Sequence, residues 1–226
     1  MSVSNPRLVR IYIDTASPEH IRAADRLGVV DGVTTNPSIV ADTDRRYRDV
    51  VETTAEIVDG PVFAQVLAED ADEMVREGRG YQEWAERVIV KLPATRPGFE
   101  ALRRLRADDV PAGTTVVFSV EQAVLAAKND ATFVAPYVGR IDDSGADGLA
   151  TTRRIQSVFD AQGFETEVLA ASIRNTTQAT ALYEAGIDAI TMSPSVLDAH
   201  IDHPETAAGV EGFAKAWGDR DPPLSE

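Results

Sequence analysis

Residues 88–92 read VIVKL, four apolar side chains around one lysine, and Pro93 closes the run. A short, largely β-branched apolar run without alternation is a strand buried on both faces, as in a parallel sheet covered by helices. Outward from it, runs of the same kind recur at 8–13 (LVRIYI), 32–35 (GVTT), 62–67 (VFAQVL), 115–118 (TVVF), 133–137 (FVAPY), 167–171 (EVLAA) and 189–192 (AITM). Helical spacings of apolar residues separate them, for example at 18–27, 45–58 and 72–87. Eight such units predict an α/β chain closed into a (β/α)8 TIM barrel, one domain over residues 1–226. An additional C-terminal helix is expected at about 204–217, with Phe213 and Trp217 four apart on one face, against the barrel or a neighbouring subunit. An open doubly wound sheet is the alternative, but DTASPE follows Ile13 and no glycine-rich phosphate loop stands there.

Composition narrows the chemistry. With 22 basic and 37 acidic residues the formal charge is −15, which disfavours nucleic acid as a partner. Cysteine is absent, excluding disulfide scaffolds, thiolate metal sites and cysteine nucleophiles. No run approaches the roughly 20 apolar residues needed to span a bilayer, and MSVSNPRLVR lacks a signal peptide's apolar core, so the expectation is a cytoplasmic protein without membrane contact. Lys91, Lys128 and Lys215 are the only lysines. An acidic, lysine-poor surface fits a halophilic protein, in which concentrated salt screens self-repulsion.

In this architecture the reactive groups sit at the C-terminal ends of the strands. The polar residues there are Asp14, Thr35 and Asn36, Gln65, Lys91, Thr115, Tyr137, Ser172 and Arg174, and Ser193. Lys91 stands out. An ammonium in an apolar strand is costly unless it reaches the wet end, and desolvation favours the neutral amine, a nucleophile towards carbonyls. A strand-end ion pair is the other reading; yet arginine, which cannot form an imine, fills nearly every other cation position. Asp14 reads as an acid/base partner or as a helix N-cap ahead of Pro18. Gln65, Thr115 and Tyr137, on strands around that of Lys91, are placed to hold a water for proton transfer. Ser172, Arg174, Ser193 and Arg140 lie where barrels bind phosphate. Metal is not expected, since His20, His200 and His203 stand at no strand end.

Seven segments in order, VTTNPSI (33–39), FAQV (63–66), VIVKLP (88–93), TVVFSVEQA (115–123), APYVGRID (135–142), LAASIRN (169–175) and ITMSP (190–194), together resemble the transaldolase and fructose-6-phosphate aldolase family. The resemblance covers nearly the whole chain. It implies a class I aldolase barrel in which Lys91 forms a Schiff base with a ketose phosphate, without cofactor or metal. Asp14 would take the proton from the C4 hydroxyl, Asn36 and Ser172 would orient the bound chain, and Arg140 and Arg174 would hold the phosphate. Gln65, Tyr137 and Ala135 resemble the aldolase branch, which releases dihydroxyacetone from fructose 6-phosphate; Arg174 resembles the transaldolase branch, which passes that unit to an acceptor aldehyde. The aldolase is the first expectation, transaldolase the alternative, and a non-catalytic sugar-phosphate-binding barrel the alternative of another class. The resemblance also implies a homo-oligomer, ring-stacked with exchanged C-terminal helices.

Overall fold

The computed structural model describes residues 8–218 and 220. The first seven residues, read above for a signal peptide, and the tail after Arg220 lie outside them, although both fall within the expected domain bounds.

Eight parallel strands close into a barrel in chain order. They are β1 (Arg10–Asp14), β2 (Gly32–Thr34), β3 (Val62–Gln65), β4 (Val88–Pro93), β5 (Ala112–Val117), β6 (Phe133–Pro136), β7 (Glu167–Ile173) and β8 (Ala189–Met192). The helices are α1 (Pro18–Asp25), α2 (Pro37–Ala41), α3 (Tyr47–Ile57), α4 (Ala71–Tyr81), α5 (Arg96–Ala107), α6 (Val120–Ala127), α7 (Val138–Asp143), α8 (Gly148–Gln162), α9 (Thr176–Glu184), α10 (Pro194–Ile201) and α11 (Pro204–Trp217). Polar residues nucleate most helix starts. Asp70, Thr95, Ser119, Asp147, Asn175 and Ser193 each accept a backbone N–H from the first helical turn that follows.

The two-residue period of a strand sorts its side chains. One set, including Val33, Val62, Val88, Val90, Leu92 and Val168, packs outward against the helices in the larger apolar core. The other set points inward: Tyr12, Phe63, Phe133, Leu169 and Ala189 fill the barrel's waist, with edge-on ring pairs Tyr12–Phe63 and Phe63–Phe133 at 5.0 and 5.1 Å. Below them Arg10 pairs with Glu167. Two residues above Tyr12 and Phe63 on the same faces come Asp14 and Gln65. The barrel is thus filled in layers, and its uppermost layer is polar.

Several boundaries differ from the sequence reading. The helix expected over 72–87 ends at Tyr81, because the chain turns there to lay Trp84 on the Tyr81 and Tyr47 rings, with centroids 4.4 and 5.8 Å away. The helices expected over 18–27 and 45–58 are shorter, at Pro18–Asp25 and Tyr47–Ile57, while β1 ends one residue later than expected, on Asp14. Strand β5 starts at Ala112, three residues before the expected position. Pro–Ala–Gly at 111–113 resembles a turn, but Gly113 sits in the sheet, where any side chain would run into the Phe133 ring and carbonyl. Leu67 and Phe118 continue apolar runs yet lie beyond the last paired residues of β3 and β5, 59% and 38% exposed. The C-terminal helix falls where expected, but no residue of α11 is buried. Among the described residues no helix is long and apolar enough to cross a membrane.

Candidate active site

The polar layer opens into a cavity of about 100 Å³ at the C-terminal ends of the strands. Asp14, Thr34, Asn36, Lys91, Thr115, Ala135, Tyr137, Arg140, Ser172 and Thr191 line it with Leu169 and Ala171. Seven of the eleven polar residues that the sequence singles out for this end of the barrel are therefore gathered here. An eighth, Gln65, is the register partner of Lys91 on the next strand, which turns both side chains to the same face.

Lys91 is 5% exposed and its Nζ donates to the Thr35 carbonyl at 2.7 Å. Asp14 Oδ1 accepts the Thr34 hydroxyl at 2.7 Å, and Thr34 stands 2.7 Å from the Thr191 hydroxyl. Burial pushes the Asp14 carboxyl above the usual carboxylate range, against the lowering pull of Lys91, the Thr34 hydroxyl and Arg140. A carboxyl so placed takes up a proton more readily than a solvated one. The N-cap of α1 is Ser17 rather than Asp14, which leaves the carboxylate to the cavity.

Thr115 Oγ1 and the Tyr137 hydroxyl lie 3.0 Å apart, one from β5 and one from the turn after β6. Both flanking strands bulge. The β5–β6 register shifts between Thr114 and Val117, with Val116 at φ 57°, and the β7–β8 register shifts between Ala170 and Ile173, with Ser172 at φ 60°. A left-handed conformation is unusual for any residue with a Cβ and a true outlier for a β-branched one, and such strain gathers at sites where a bulge re-aims a side chain. Ser172 reaches the cavity wall in this way.

The two arginines part company. Arg140 lines the cavity with its guanidinium 4.9 Å from the centre of the Tyr137 ring. Arg174 does not line it; a two-pronged ion pair with Asp143 holds it outside, with its side chain 49% exposed. Gly139 permits this, since a Cβ there would stand 2.5 Å from Arg174 Nε and 2.6 Å from the Ser172 carbonyl oxygen. Ser193 caps α10 and bonds to Ser195, away from the cavity lining. Asn36 Oδ1 caps α2 through the Ile39 N–H at 3.1 Å while the residue lines the cavity.

Sequence reasoning named Thr35 and passed over its neighbour. Thr35 is fully buried with its hydroxyl on the Phe63 carbonyl, whereas the Thr34 hydroxyl donates to Asp14 and is itself bonded to Thr191. Thr34 shares the inward face with Gly32, but a three-residue strand is too short for its phase to show in the sequence. Among the described residues no group of three or more His, Asp or Glu side chains is arranged to hold a metal ion.

Known proteins resemble the chain over nearly its whole described length. Residues 11–220 match the family described as "Transaldolase/Fructose-6-phosphate aldolase". A "Probable transaldolase" of Herpetosiphon aurantiacus is 44% identical over 209 residues, covering 92% of this chain and 95% of the relative. A "Probable transaldolase" of a Hydrogenobaculum species is 41% identical, covering 92% and 96%. The solved structure of 2,3-dimethylmalate lyase superposes with a TM-score of 0.59 at 15% identity over 98% of this chain and 87% of its own, a likeness of fold alone. The chain belongs to the transaldolase/fructose-6-phosphate aldolase family, a family of class I, Schiff-base enzymes.

Proposed function

We propose that this chain transfers a dihydroxyacetone unit between sugar phosphates through an imine at Lys91. One observation carries the proposal: the amine of Lys91 lies buried in a polar cavity whose wall also presents the Asp14 carboxyl. In the proposed course the amine adds to the C2 carbonyl of a ketose phosphate and loses water to give an iminium. Asp14 takes the C4 hydroxyl proton as the C3–C4 bond breaks, and the bonding electrons flow into the iminium to leave an enamine. An aldehyde phosphate departs. The enamine then adds to an acceptor aldehyde, and water frees the new ketose from Lys91. Arg140 is the cation placed for the phosphate, Asn36 and Ser172 orient the carbon chain, and neither cofactor nor metal enters.

The choice of transfer over release rests on the relatives, which carry the name "Probable transaldolase". It reverses the order of preference drawn from Gln65 and Tyr137. The second reading, release of dihydroxyacetone from fructose 6-phosphate, keeps one specific support, the Tyr137 hydroxyl bonded to Thr115 in the cavity. These groups can hold and polarise a water that protonates the enamine.

Incubation with fructose 6-phosphate and borohydride, followed by mass spectrometry, is expected to leave a reduced adduct on Lys91; an adduct on Lys128 or Lys215, or none, rejects the proposal. Adding erythrose 4-phosphate decides the branch. Sedoheptulose 7-phosphate forming faster than free dihydroxyacetone supports transfer, and the reverse order supports the aldolase.

We infer also that α11 joins copies of the chain in a homo-oligomer. Val210, Phe213 and Trp217 are 63%, 78% and 46% exposed on a helix that buries nothing. A helix of this length is marginal alone, and Gly209 and Gly212 weaken it by roughly 1 kcal/mol each. Light scattering on the full chain and on Phe213→Asp tests this: the variant is expected to be smaller, and a monomeric parent chain ends the idea.

A further inference from the structure

The β2–β3 ladder stops one rung early, and a phenol takes the missing place. Val33 N–H donates to the Pro61 carbonyl at 3.0 Å and Thr35 N–H to the Phe63 carbonyl at 3.1 Å. In that register the next donor is the Gln65 N–H and the next acceptor the Thr35 carbonyl. The Gln65 N–H donates instead to the Tyr47 hydroxyl at 2.5 Å, and that hydroxyl donates to the Gln65 carbonyl at 3.1 Å. The Thr35 carbonyl, left without its sheet partner, accepts Lys91 Nζ at 2.7 Å.

We propose that Tyr47 is a positioning residue, whose hydroxyl holds the β2–β3 rung open so that the Thr35 carbonyl fixes the Lys91 amine for attack. The proposal rests on the reading of Lys91 as the nucleophile. A buried backbone carbonyl must find a donor, and two compete here, the Gln65 amide and the lysine. Tyr47 decides the competition by satisfying Gln65 completely. The phenol is itself held: its ring meets Tyr81 and Trp84 edge-on at 5.7 and 5.8 Å. Burial, partly offset by its bonds to Thr35 and Gln65, pushes its ionisation up to about 12, so it stays protonated as both donor and acceptor across the working range.

Two variants separate this role from packing. Tyr47→Phe keeps the ring and its contacts but removes the hydroxyl. Replacement of Tyr47 by 4-aminophenylalanine keeps shape, volume and a donor but supplies a poor acceptor, leaving the Gln65 N–H to close on Thr35; it decides the matter if Tyr47→Phe does not fold. Each variant is compared with the parent chain in the rate of borohydride-trapped adduct at Lys91 with saturating fructose 6-phosphate. The trapping rate is expected to fall about tenfold to a hundredfold, the cost of misplacing a reacting group. The half-saturating concentration is expected to stay within about threefold, a loss in kcat rather than KM. A folded variant that traps at the parental rate, or whose deficit disappears at higher ketose concentration, overturns the inference. Absence of any adduct in the parent chain overturns the nucleophile reading and this inference together, whereas a parental adduct with undiminished variant rates overturns the role of Tyr47 alone.

Discussion

The hydroxyls of Thr115 and Tyr137 stand 3.0 Å apart at the mouth of the barrel, bridging β5 and the turn that follows β6. Tyr137 is 8% exposed there, with the Arg140 guanidinium over its ring. A phenol bonded to a second hydroxyl can pass a proton through a shared water, a step that release of the three-carbon unit requires and its transfer to an aldehyde does not.

Tyr137→Phe is therefore expected to slow release of free dihydroxyacetone by about a hundredfold, within the usual range for losing a positioned proton donor. Transfer to erythrose 4-phosphate is expected to slow far less. Parallel assays of the two products give the ratio, and an equal decline in both would mean that Tyr137 acts before the branch point.

Asp14 carries a second prediction, on stability. Its folded-state ionisation lies above the unfolded value because burial outweighs the favourable pull of Lys91, Thr34 and Arg140. Above that folded value the native carboxylate is charged at a net cost; as pH falls through it the native state takes up the proton first, and the cost disappears. Asn at this position mimics the protonated form and can still accept from Thr34. Asp14→Asn is thus expected to melt higher than the parent chain at pH 7, with the gap closing as pH falls, while activity is lost. A variant that melts lower at neutral pH would show that attraction to Lys91 dominates.

The arginines give a third. Arg140 lines the cavity, and Arg174 is tied to Asp143 in a half-exposed pair. A charge-assisted hydrogen bond to a phosphate contributes about 1.5–3 kcal/mol, or a factor of ten to a hundred or more in KM. Arg140→Leu should raise KM for phosphorylated substrates by about that factor with kcat largely kept. Arg174→Leu should have an effect within about threefold, since an exposed pair contributes little. Matching increases in KM would mean that phosphate draws Arg174 away from Asp143.

Eight apolar runs were enough to read the barrel, because strands covered on both faces repeat a pattern that helices of this length interrupt regularly. Lys91 and Asp14 stood out for the same reason: a charged side chain within such a run or at its end has few places to go. The phase of β2 was harder. With only Gly32, Val33 and Thr34 in the strand, alternation is too short to tell Thr34 from Thr35. The pairing of Arg174 with Asp143 was not legible, because the two lie 31 residues apart and no local pattern encodes that contact. Tyr47 gave no signal at all, since a tyrosine on the buried side of a helix reads as core until its hydroxyl is seen to occupy a sheet rung.

The surface yields the last prediction. Exposed pairs such as Arg46–Asp49, Arg48–Glu52 and Arg79–Asp108 each gain little, and salt weakens them. Against them stands a net charge of −15, whose repulsion acts over longer distances and is therefore screened more completely. As the screening length falls from about 10 Å at 0.1 M to about 3 Å at 1 M, the repulsive part is removed first. The melting temperature should then rise along a potassium chloride series from low to molar concentration. If it is highest without added salt, the attractive pairs outweigh the repulsion, and the acidic composition is no adaptation to concentrated salt.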